Sequence, residues 1–430
     1  MIKILNWKKT APELKEKILK RSQLDIESIN EYVKEWIDKI KKEGDKAIIE
    51  YINKFDDPDL TLKNIKVSKE EIKKAYQNVA PDVLEAIKEQ IRISQAFHKK
   101  QYEHFTLEWE IETVSGVKTG MKKCPIQSAC LYVPAGKAPL PTIAQILTVA
   151  ASAAQVPRKV VSFAPTGPHH EIIVAAAEAG ADEIYRLGGI AAIAAFALGT
   201  ESIRPVNIIA GPGNPYVQSA KMQLFGQVGI DMIAGPSEML TIADPDANPQ
   251  YLAAEVLARC EHGPDSAGVI VTNSQTLAQE TKAEIEKQFT KLSRQEYIKK
   301  SLDNYSAIIT CDNLEEMIDF ANDYSAEHLV IQTKDPRAVL AKIYNAGSVF
   351  LGRHAPVAIG DYASGTNHCI PIGVAPKFSS PVGVETFMKN IEFQELTKEG
   401  LNQLRLIINK ISAIEGLDGH NYSVEIRFEK

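Results

Sequence analysis

The chain has 430 residues, of which 44% are hydrophobic and 24% are charged, the proportions of an ordinary soluble globular protein. This length allows about two to four domains. The formal net charge of −6 argues against a nucleic-acid-binding protein that works by neutralising phosphates.

Cysteine use and hydropathy predict where the protein resides. The five cysteines are widely spread and include no CxxC pair, which indicates free thiols in a reducing compartment rather than a disulfide framework. The N-terminus lacks an apolar run of signal-peptide length. The most apolar stretch, residues 142–156, contains Gln145 and is too short to cross a bilayer. We therefore expect a soluble, cytoplasmic protein with no membrane and no nucleic-acid partner.

The first 105 residues are predicted to be mainly helical. Apolar residues recur at helical spacing over residues 26–55. Ser68, followed three residues later by Glu71, fits a capping box that opens a second helical stretch over residues 67–99. These amphipathic helices must pack against another part of the protein. Short alternating runs over residues 107–118 then predict a hairpin.

From residue 129 onwards, strands and helices alternate. Residues 129–133 predict a buried strand that stops at the Pro-Ala-Gly turn of residues 134–136, and Pro141 predicts the start of an apolar helix. The rhythm is typical of a parallel sheet covered by helices on both faces. It predicts one α/β unit from Pro134 to about residue 233 and a second over residues 239–351. The remaining tail is predicted to be one helix and a short strand at residues 423–428, and it must dock on its own body or a partner's because it is too short to fold alone.

A helix end near residue 262 is the first candidate for chemistry. The stretch LAAEVLARCEHGPD at residues 252–265 predicts a helix that ends at Gly263-Pro264, because proline cannot continue a helix and glycine commonly ends one. His262 would then lie at the helix C-terminus, where it could face a cleft and bind a metal or substrate. The alternative is a capping histidine that interacts with the last carbonyl groups.

Two glycine–proline turns are the next candidates. AGPGN at residues 210–214 lies between a predicted strand and a predicted helix, where free backbone N–H groups suit an anionic group such as a pyrophosphate. AGPSE at residues 234–238 offers Ser237 as a hydrogen-bonding group for a ligand. A plain structural turn also explains each sequence.

The adjacent pair Glu327-His328 offers two bases of different strength. Neighbours on a regular strand point to opposite faces, so both can serve one site only if the backbone is irregular there. The alternative is a surface glutamate beside a half-buried histidine.

The segment GDYASGTNH at residues 360–368 lies past a predicted strand end, where ligand sites of α/β proteins collect. Asp361 and His368 have the chemistry of metal ligands, as does His420 near the C-terminus. Because no local zinc spacing such as HExxH is present, the spacing leaves a metal site open.

Taken in order, the motifs AGPGN, AGPSE, EHGPDS, AEHL, GDYASGTNH, FSSPVGVETF and EGLDGH resemble those of histidinol dehydrogenases, and the resemblance covers residues 30–427. It implies NAD-dependent oxidation of L-histidinol to L-histidine through histidinaldehyde, at the end of histidine biosynthesis. It also implies a homodimer with one zinc ion per subunit, in which the tail completes the partner's site.

The resemblance further implies an α/β fold of two Rossmann-like parallel-sheet lobes, similar to aldehyde dehydrogenases, with N-terminal helices and a C-terminal docking tail. Residues 1–130 and 234–380 would form a discontinuous main lobe. Residues 131–233 would form an inserted NAD-binding lobe. Residues 381–430 would form the dimerising tail.

Residue roles are carried over by position. Glu327 would activate water for attack on the aldehyde, and His328 would take the alcohol proton. The implied zinc ligands are His262, Asp361 and His420, the last supplied by the other subunit. The implied NAD-contacting positions are Tyr132, Ala191 and Asn214. The implied substrate-contacting positions are Ser237, Arg259, His262, Glu327, Asp361, His368, Glu415 and His420.

Two of these positions depart from the family pattern. The family's fourth zinc ligand is a glutamine three residues before the helix-end histidine, and here that residue is Arg259, which stays protonated and offers no lone pair to a cation. The family's NAD-contacting glutamine in GGxQAI is replaced by Ala191, which removes a polar contact.

Three interpretations follow. In the first, histidinol oxidation uses three protein zinc ligands, and Arg259 turns away to pair with Glu255 one helical turn earlier. In the second, a related dehydrogenase, with or without zinc, uses Arg259 to bind an anionic group on another amino or hydroxy alcohol. The third is a non-catalytic paralogue. A separate enzyme class, a cysteine-dependent aldehyde dehydrogenase, would need an activated thiolate, with Cys260 as the candidate.

Overall fold

The computed structural model describes residues 2–21, 26–135 and 139–429. In chain order, the strands in this part of the chain are β1 (Lys3–Asn6), β2 (Glu108–Val114), β3 (Val117–Pro125), β4 (Ser128–Val133), β5 (Arg158–Phe163), β6 (Glu183–Arg186), β7 (Ile208–Ala210), β8 (Gly229–Ile230), β9 (Glu238–Ala243), β10 (Ala267–Thr272), β11 (Ala307–Thr310), β12 (His328–Gln332), β13 (Ser348–Leu351) and β14 (Met388–Leu396). The α-helices are α1 (Pro12–Lys20), α2 (Asn30–Glu43), α3 (Asp45–Phe55), α4 (Lys69–Asn78), α5 (Pro81–Glu103), α6 (Pro141–Ala153), α7 (His170–Glu178), α8 (Gly189–Leu198), α9 (Pro215–Leu224), α10 (Pro249–Cys260), α11 (Gln275–Phe289), α12 (Gln295–Asn304), α13 (Leu314–Tyr324), α14 (Pro336–Leu340), α15 (Val357–Tyr362), α16 (Lys398–Glu415) and α17 (Asp418–Glu425).

These strands form two parallel sheets and one antiparallel sheet. A six-stranded sheet has the order β1-β11-β10-β9-β12-β13, and a five-stranded sheet has the order β6-β5-β4-β7-β8; all of their pairings are parallel. The hairpin β2–β3 pairs antiparallel with β14 in a third sheet. The predicted pair of α/β units and the predicted hairpin are therefore confirmed.

Local sequence explains where the N-terminal helices begin and break. The capping box at α4 is confirmed, because the Glu71 N–H donates to Ser68 Oγ at 3.2 Å and the Ser68 N–H donates to Glu71 Oε2 at 2.8 Å. The predicted stretch over residues 67–99 is two helices, because Pro81 disfavours the helical conformation for Ala80, which is extended. Gly44 separates α2 from α3 at φ +54°, a conformation that favours glycine.

Most N-terminal helices cover the five-stranded sheet. The apolar faces of α2 and α3 share a core with β4, α8 and α9, and α4 and α5 share a core with β4, α6 and α7. In the described ranges, β1 and α1 pack on the six-stranded sheet, where β1 pairs with β11. The grouping of residues 1–130 with the main lobe stays a prediction, since amphipathic helices cover whichever sheet face is apolar and open, irrespective of chain order.

The tail begins on the antiparallel sheet with β14 and continues as α16 and α17. The predicted strand at residues 423–428 is wrong, because residues 423–425 belong to α17 and residues 426–428 form a turn. A strand needs a neighbouring edge for its backbone hydrogen bonds, whereas a helix satisfies them internally. In the described ranges, no helix is both long and apolar enough to span a membrane.

Candidate active site

The candidate residues of the main lobe meet at the amino ends of its central strands. Ser237 directly precedes β9, Glu327 directly precedes β12, and His262 lies between α10 and β10. Asp361 reaches this cluster from α15. The sequence predicts that the segment at residues 360–368 lies past a strand end, whereas the cluster that Asp361 joins lies at the amino ends of β9 and β12.

Glu327 is held in a buried hydrogen-bonded position. It is 5% exposed, and its Oε2 accepts from Ser237 Oγ at 3.0 Å and from the Glu238 backbone N–H at 2.8 Å. Burial alone would raise the pKa of Glu327, but the neighbouring His328 and Arg259 charges hold it below its ordinary value. The carboxylate is therefore ionised and oriented, as a general base requires.

His328 shares this site with Glu327. Ser325 ends α13 at φ +49°, so the backbone before β12 is irregular, as the pair required. The His328 Nδ1 lies 3.1 Å from the Glu238 carbonyl and 3.3 Å from Glu327 Oε2. Since a carbonyl only accepts, Nδ1 carries the hydrogen and Nε2 of the neutral ring presents a lone pair. Burial and the Arg259 charge lower the pKa of His328, but the larger combined effect of the Glu327 and Asp361 carboxylates raises it above its ordinary value.

Arg259 points into this cluster. Its side chain is 5% exposed; Nη1 donates to Ser237 Oγ at 2.5 Å, and Nη2 lies 3.5 Å from His328 Nε2 and 3.6 Å from Asp361 Oδ2. The predicted pairing of Arg259 with Glu255 is wrong, because the Glu255 carboxylate accepts instead from the Val357 N–H at 3.0 Å. A permanent positive charge therefore occupies the middle of the site.

Two of the predicted metal-ligating side chains, Asp361 and His262, lie near the Arg259 charge. Asp361 Oδ1 lies 3.6 Å from His328 Nε2, and His328 and Arg259 outweigh burial and lower the pKa of Asp361 to about 2. Burial and the Arg259 charge lower the pKa of His262 to about 4. Within the described ranges, no group of three His, Cys, Asp or Glu side chains is arranged to hold a metal ion. With a guanidinium beside the anionic ligand, these residues do not fit a zinc ion.

His368 is half-buried near the same cluster. Burial lowers the pKa of the ring despite the opposing charge of Asp361, so the ring is neutral near neutral pH. Its Nδ1 is buried without a hydrogen-bond partner. A buried polar atom of this kind is normally paired, which makes His368 a candidate to contact a bound molecule.

A cavity of about 1010 Å³ adjoins the cluster at His262, a volume in the range of small-molecule and cofactor sites. Tyr132 and Asn214, two of the predicted NAD-contacting residues, line it. Burial raises the pKa of Tyr132 to about 12, and its hydroxyl accepts from the Gly189 N–H at 3.2 Å. Ala191 instead lies fully buried in the core of α8.

The glycine turn AGPGN serves structure first. A Cβ on Gly211 would lie 2.1 Å from the Tyr132 carbonyl oxygen, so glycine permits the close approach of β7 to β4. The Asn214 side chain caps α9 by accepting from the Val217 N–H at 3.0 Å, and the Gly211 N–H donates to Asp231 Oδ2 at 2.7 Å. These contacts use amide groups that an anion would need.

Several cavity residues escaped prediction because they come from helices that carry no recognisable motif. Asp56 follows α3 directly, and burial, with a smaller effect of Asp57, raises the pKa of its carboxyl to about 6. The aromatic and acidic residues at the end of α3 are the sequence feature that could have predicted a cavity residue there. The other lining residues that sequence reasoning missed include Tyr32, Tyr51, Phe55, Tyr216 and Arg294.

Cys260 does not face the site. It is fully buried in an apolar core with α11 and α12, its Sγ lies 3.5 Å from Ser306 Oγ, and burial raises the pKa of the thiol. Because the thiolate is the nucleophile, this position argues against the cysteine-dependent alternative.

Glu415 and His420 lie on the exposed tail. Glu415 ends α16 and His420 belongs to α17. Neither residue has a hydrogen bond or ion pair to the cluster within the described part of this chain. Their roles at the site stay predictions.

Comparison with known proteins decides the family. The family model for histidinol dehydrogenase matches residues 19–428. The chain belongs to the histidinol dehydrogenase family. It is 41% identical over 425 residues to the histidinol dehydrogenase of Methanocaldococcus jannaschii, covering 98% of each chain. It is 40% identical over 413 residues to that of Methanothermobacter thermautotrophicus, covering 95% of this chain and 96% of the relative.

Solved structures agree with this membership. The crystal structure of histidinol dehydrogenase from Elizabethkingia anophelis superposes with a TM-score of 0.92 at 34% identity and covers 99% of this chain and 98% of that chain. The resemblance on the ordered motifs and the predicted α/β fold are confirmed. As a member of this family, the chain is an oxidoreductase enzyme.

Proposed function

We propose that the chain oxidises L-histidinol to L-histidine through histidinaldehyde, with NAD as the hydride acceptor and within histidine biosynthesis. The observation that carries the proposal is the buried Ser237–Glu327–His328 cluster in a chain matched by this family over nearly its whole length. The cavity beside His262, lined by Tyr132 and Asn214, supports NAD binding. When bound, NAD accepts the two hydrides that leave the substrate carbon.

The chain's own residues move the protons. In its neutral form, His328 takes the hydroxyl proton at Nε2 as the alcohol becomes an aldehyde, because Nδ1 donates to the Glu238 carbonyl. Because the pKa of His328 is raised, this step is favoured at alkaline pH. Glu327 takes a proton from the water that attacks the aldehyde, while Ser237 holds its carboxylate in place. His368 and His262, whose rings both lie within range of the Asp361 charge, contact the substrate. The geometry supports a base for each oxidation.

We assign no role to zinc. The Arg259 guanidinium lies 3.6 Å from Asp361, the predicted anionic ligand, and would repel a second cation there. In its place, the Arg259 guanidinium supplies a fixed positive charge and hydrogen-bond donors to the substrate oxygen. The alternative substrate, another amino or hydroxy alcohol with an anionic group, also rests on Arg259. Asp361 already compensates part of the arginine charge, which favours histidinol over an anionic substrate.

The proposed enzyme is a homodimer in which the tail completes the partner's site. Large apolar side chains of α16 are exposed, with Ile414 82% and Leu406 68% accessible, and such a face is normally covered. Sedimentation equilibrium is expected to give the mass of two chains, and a monomer at assay concentrations would contradict this arrangement.

The five unpaired cysteines support a reducing, cytoplasmic location.

The function is tested by following NADH formation from L-histidinol with purified protein, with and without added zinc. We expect two NADH for each histidine formed, and less turnover of hydroxy alcohols that carry a carboxylate, phosphate or sulfonate. No NADH from histidinol, under conditions in which the Methanocaldococcus jannaschii relative forms it, would contradict the proposal. Faster turnover of an anionic alcohol would favour the alternative substrate.

A further inference from the structure

Arg21 lies beneath the candidate site although it comes from the N-terminal segment. It follows α1 directly at φ +55°, and its side chain is 3% exposed. The guanidinium stacks on the Tyr324 ring at 3.8 Å. Because a buried charge costs free energy unless it is paired and hydrogen-bonded, the position of Arg21 depends on its partners.

Three separate segments supply these partners. Arg21 Nη2 donates to Glu238 Oε1 at 2.7 Å and to the carbonyl groups of Tyr324 at 2.5 Å, Ser325 at 3.1 Å and Gly373 at 3.1 Å. Its Nε forms an ion pair with the Glu238 carboxylate. One side chain therefore joins the start of β9, the end of α13 and the loop at Gly373.

The Glu238 carboxylate links Arg21 to Glu327 in the candidate site. Its Oε1 also accepts the backbone N–H of Glu327 at 3.2 Å and of Gly373 at 3.1 Å. The backbone N–H of Glu238 donates to the Glu327 carboxylate at 2.8 Å. Glu238 thus contacts both the backbone and the side chain of Glu327.

Close backbone packing also restricts the segment that carries Glu327. A Cβ on Gly347 would lie 2.6 Å from the Glu327 carbonyl oxygen. The Glu327 backbone is therefore closely packed against Gly347 as well as hydrogen-bonded to Glu238.

We propose that Arg21 is a positioning residue that acts through Glu238 to hold Ser237 and Glu327 in their reactive arrangement. The N-terminal segment then has a role in catalysis besides adding β1 to the edge of the six-stranded sheet. This inference rests on the proposed role of Glu327. A displacement of about 1 Å in a reacting group can cost about 100-fold in rate, so losing this support should slow turnover more than it weakens NAD binding.

The test compares Arg21→Met with a matched control in the other lobe. Arg158 also pairs with one carboxylate, Glu183, at 2.6 Å and donates to two backbone carbonyl groups, but it lies on β5 of the five-stranded sheet and none of these partners belongs to the cluster. We expect Arg21→Met to lower kcat for histidinaldehyde oxidation about 10- to 100-fold with an unchanged KM for NAD. Arg158→Met is expected to lower the Tm without this selective loss of kcat, and Arg21→Lys to recover part of the rate.

Each outcome bears on the proposal. An Arg21→Met enzyme with wild-type kcat, or an equal loss in Arg158→Met at the same Tm, would overturn it. If Arg21→Met does not fold, Glu238→Gln weakens the same contact from the acceptor side and is judged by the same criteria. Failure of the wild type to oxidise histidinol would contradict the proposed function instead, so the two failures are distinguishable.

Discussion

Replacing Glu327 with glutamine is expected to slow the conversion of histidinaldehyde to histidine by about 1,000-fold, within the range for loss of a general base. Glutamine keeps the shape and one oxygen that can accept from Ser237 and the Glu238 N–H, but it cannot take a proton from water. The oxidation of histidinol to the aldehyde, which relies on His328, should slow by less than about 10-fold. The two steps are measured separately by supplying histidinol or histidinaldehyde and quantifying NADH and aldehyde.

Glu255→Gln is the matched control for this variant. Glu255 is another carboxyl group near Arg259, its pKa is raised by burial, and it accepts from the Val357 N–H. Removing its charge should affect both steps alike and slightly. Equal losses in the two steps of Glu327→Gln would contradict the assignment of Glu327 to the hydration step.

Replacing Arg259 with glutamine is expected to change the metal content of the protein. We expect the wild type to carry far less than one zinc ion per chain after purification and to stay active with a chelator present. Arg259→Gln removes the guanidinium beside Asp361 and adds an amide oxygen, so it should approach one zinc per chain. Elemental analysis measures this directly, and the absorption spectrum of the cobalt-substituted protein reports the ligand geometry independently of activity.

The same variant should lose activity when a chelator has removed its metal. Loss of a donor that stabilises developing charge costs about 100- to 1,000-fold in kcat. Arg259→Lys, which keeps the charge but loses the planar fork, should stay metal-free and retain part of the activity. His262→Ala in the Arg259→Gln background should lose the acquired zinc. One tightly held zinc per wild-type chain, lost on His262→Ala alone, would show that Arg259 does not replace the metal.

Much of the fold could be predicted from the sequence because its signals are local. The capping box at Ser68, the proline at the start of α6 and the alternation of buried strands with helices each depend on nearby residues. The strand predicted at residues 423–428 failed because alternation alone does not supply a neighbouring edge. Local signals do not fix which lobe the N-terminal helices cover, because an amphipathic helix specifies an apolar face but not its partner.

The candidate site could be predicted only as a set of residue types. Ordered motifs indicated Ser237, His262, Glu327, His328 and Asp361 as candidates, and the structure brings them together at the amino ends of parallel strands. Arg21 and Asp56 carried no motif. Their roles arise from contacts between segments far apart in sequence, which local patterns do not specify.

By itself, the sequence determined the family, the α/β class and the presence of an arginine, Arg259, one turn before the helix-end histidine. Which way Arg259 points was decided only by the tertiary structure. Residues four apart on a helix can pair, so Glu255 was a possible partner. The Glu255 carboxylate instead accepts a hydrogen bond from the Val357 N–H. The acceptors around the guanidinium are Ser237, His328 and Asp361. A buried charge is stable only where its hydrogen-bond donors find acceptors. The acceptors for Arg259 come together only when folding brings β9, β12 and α15 to the same place.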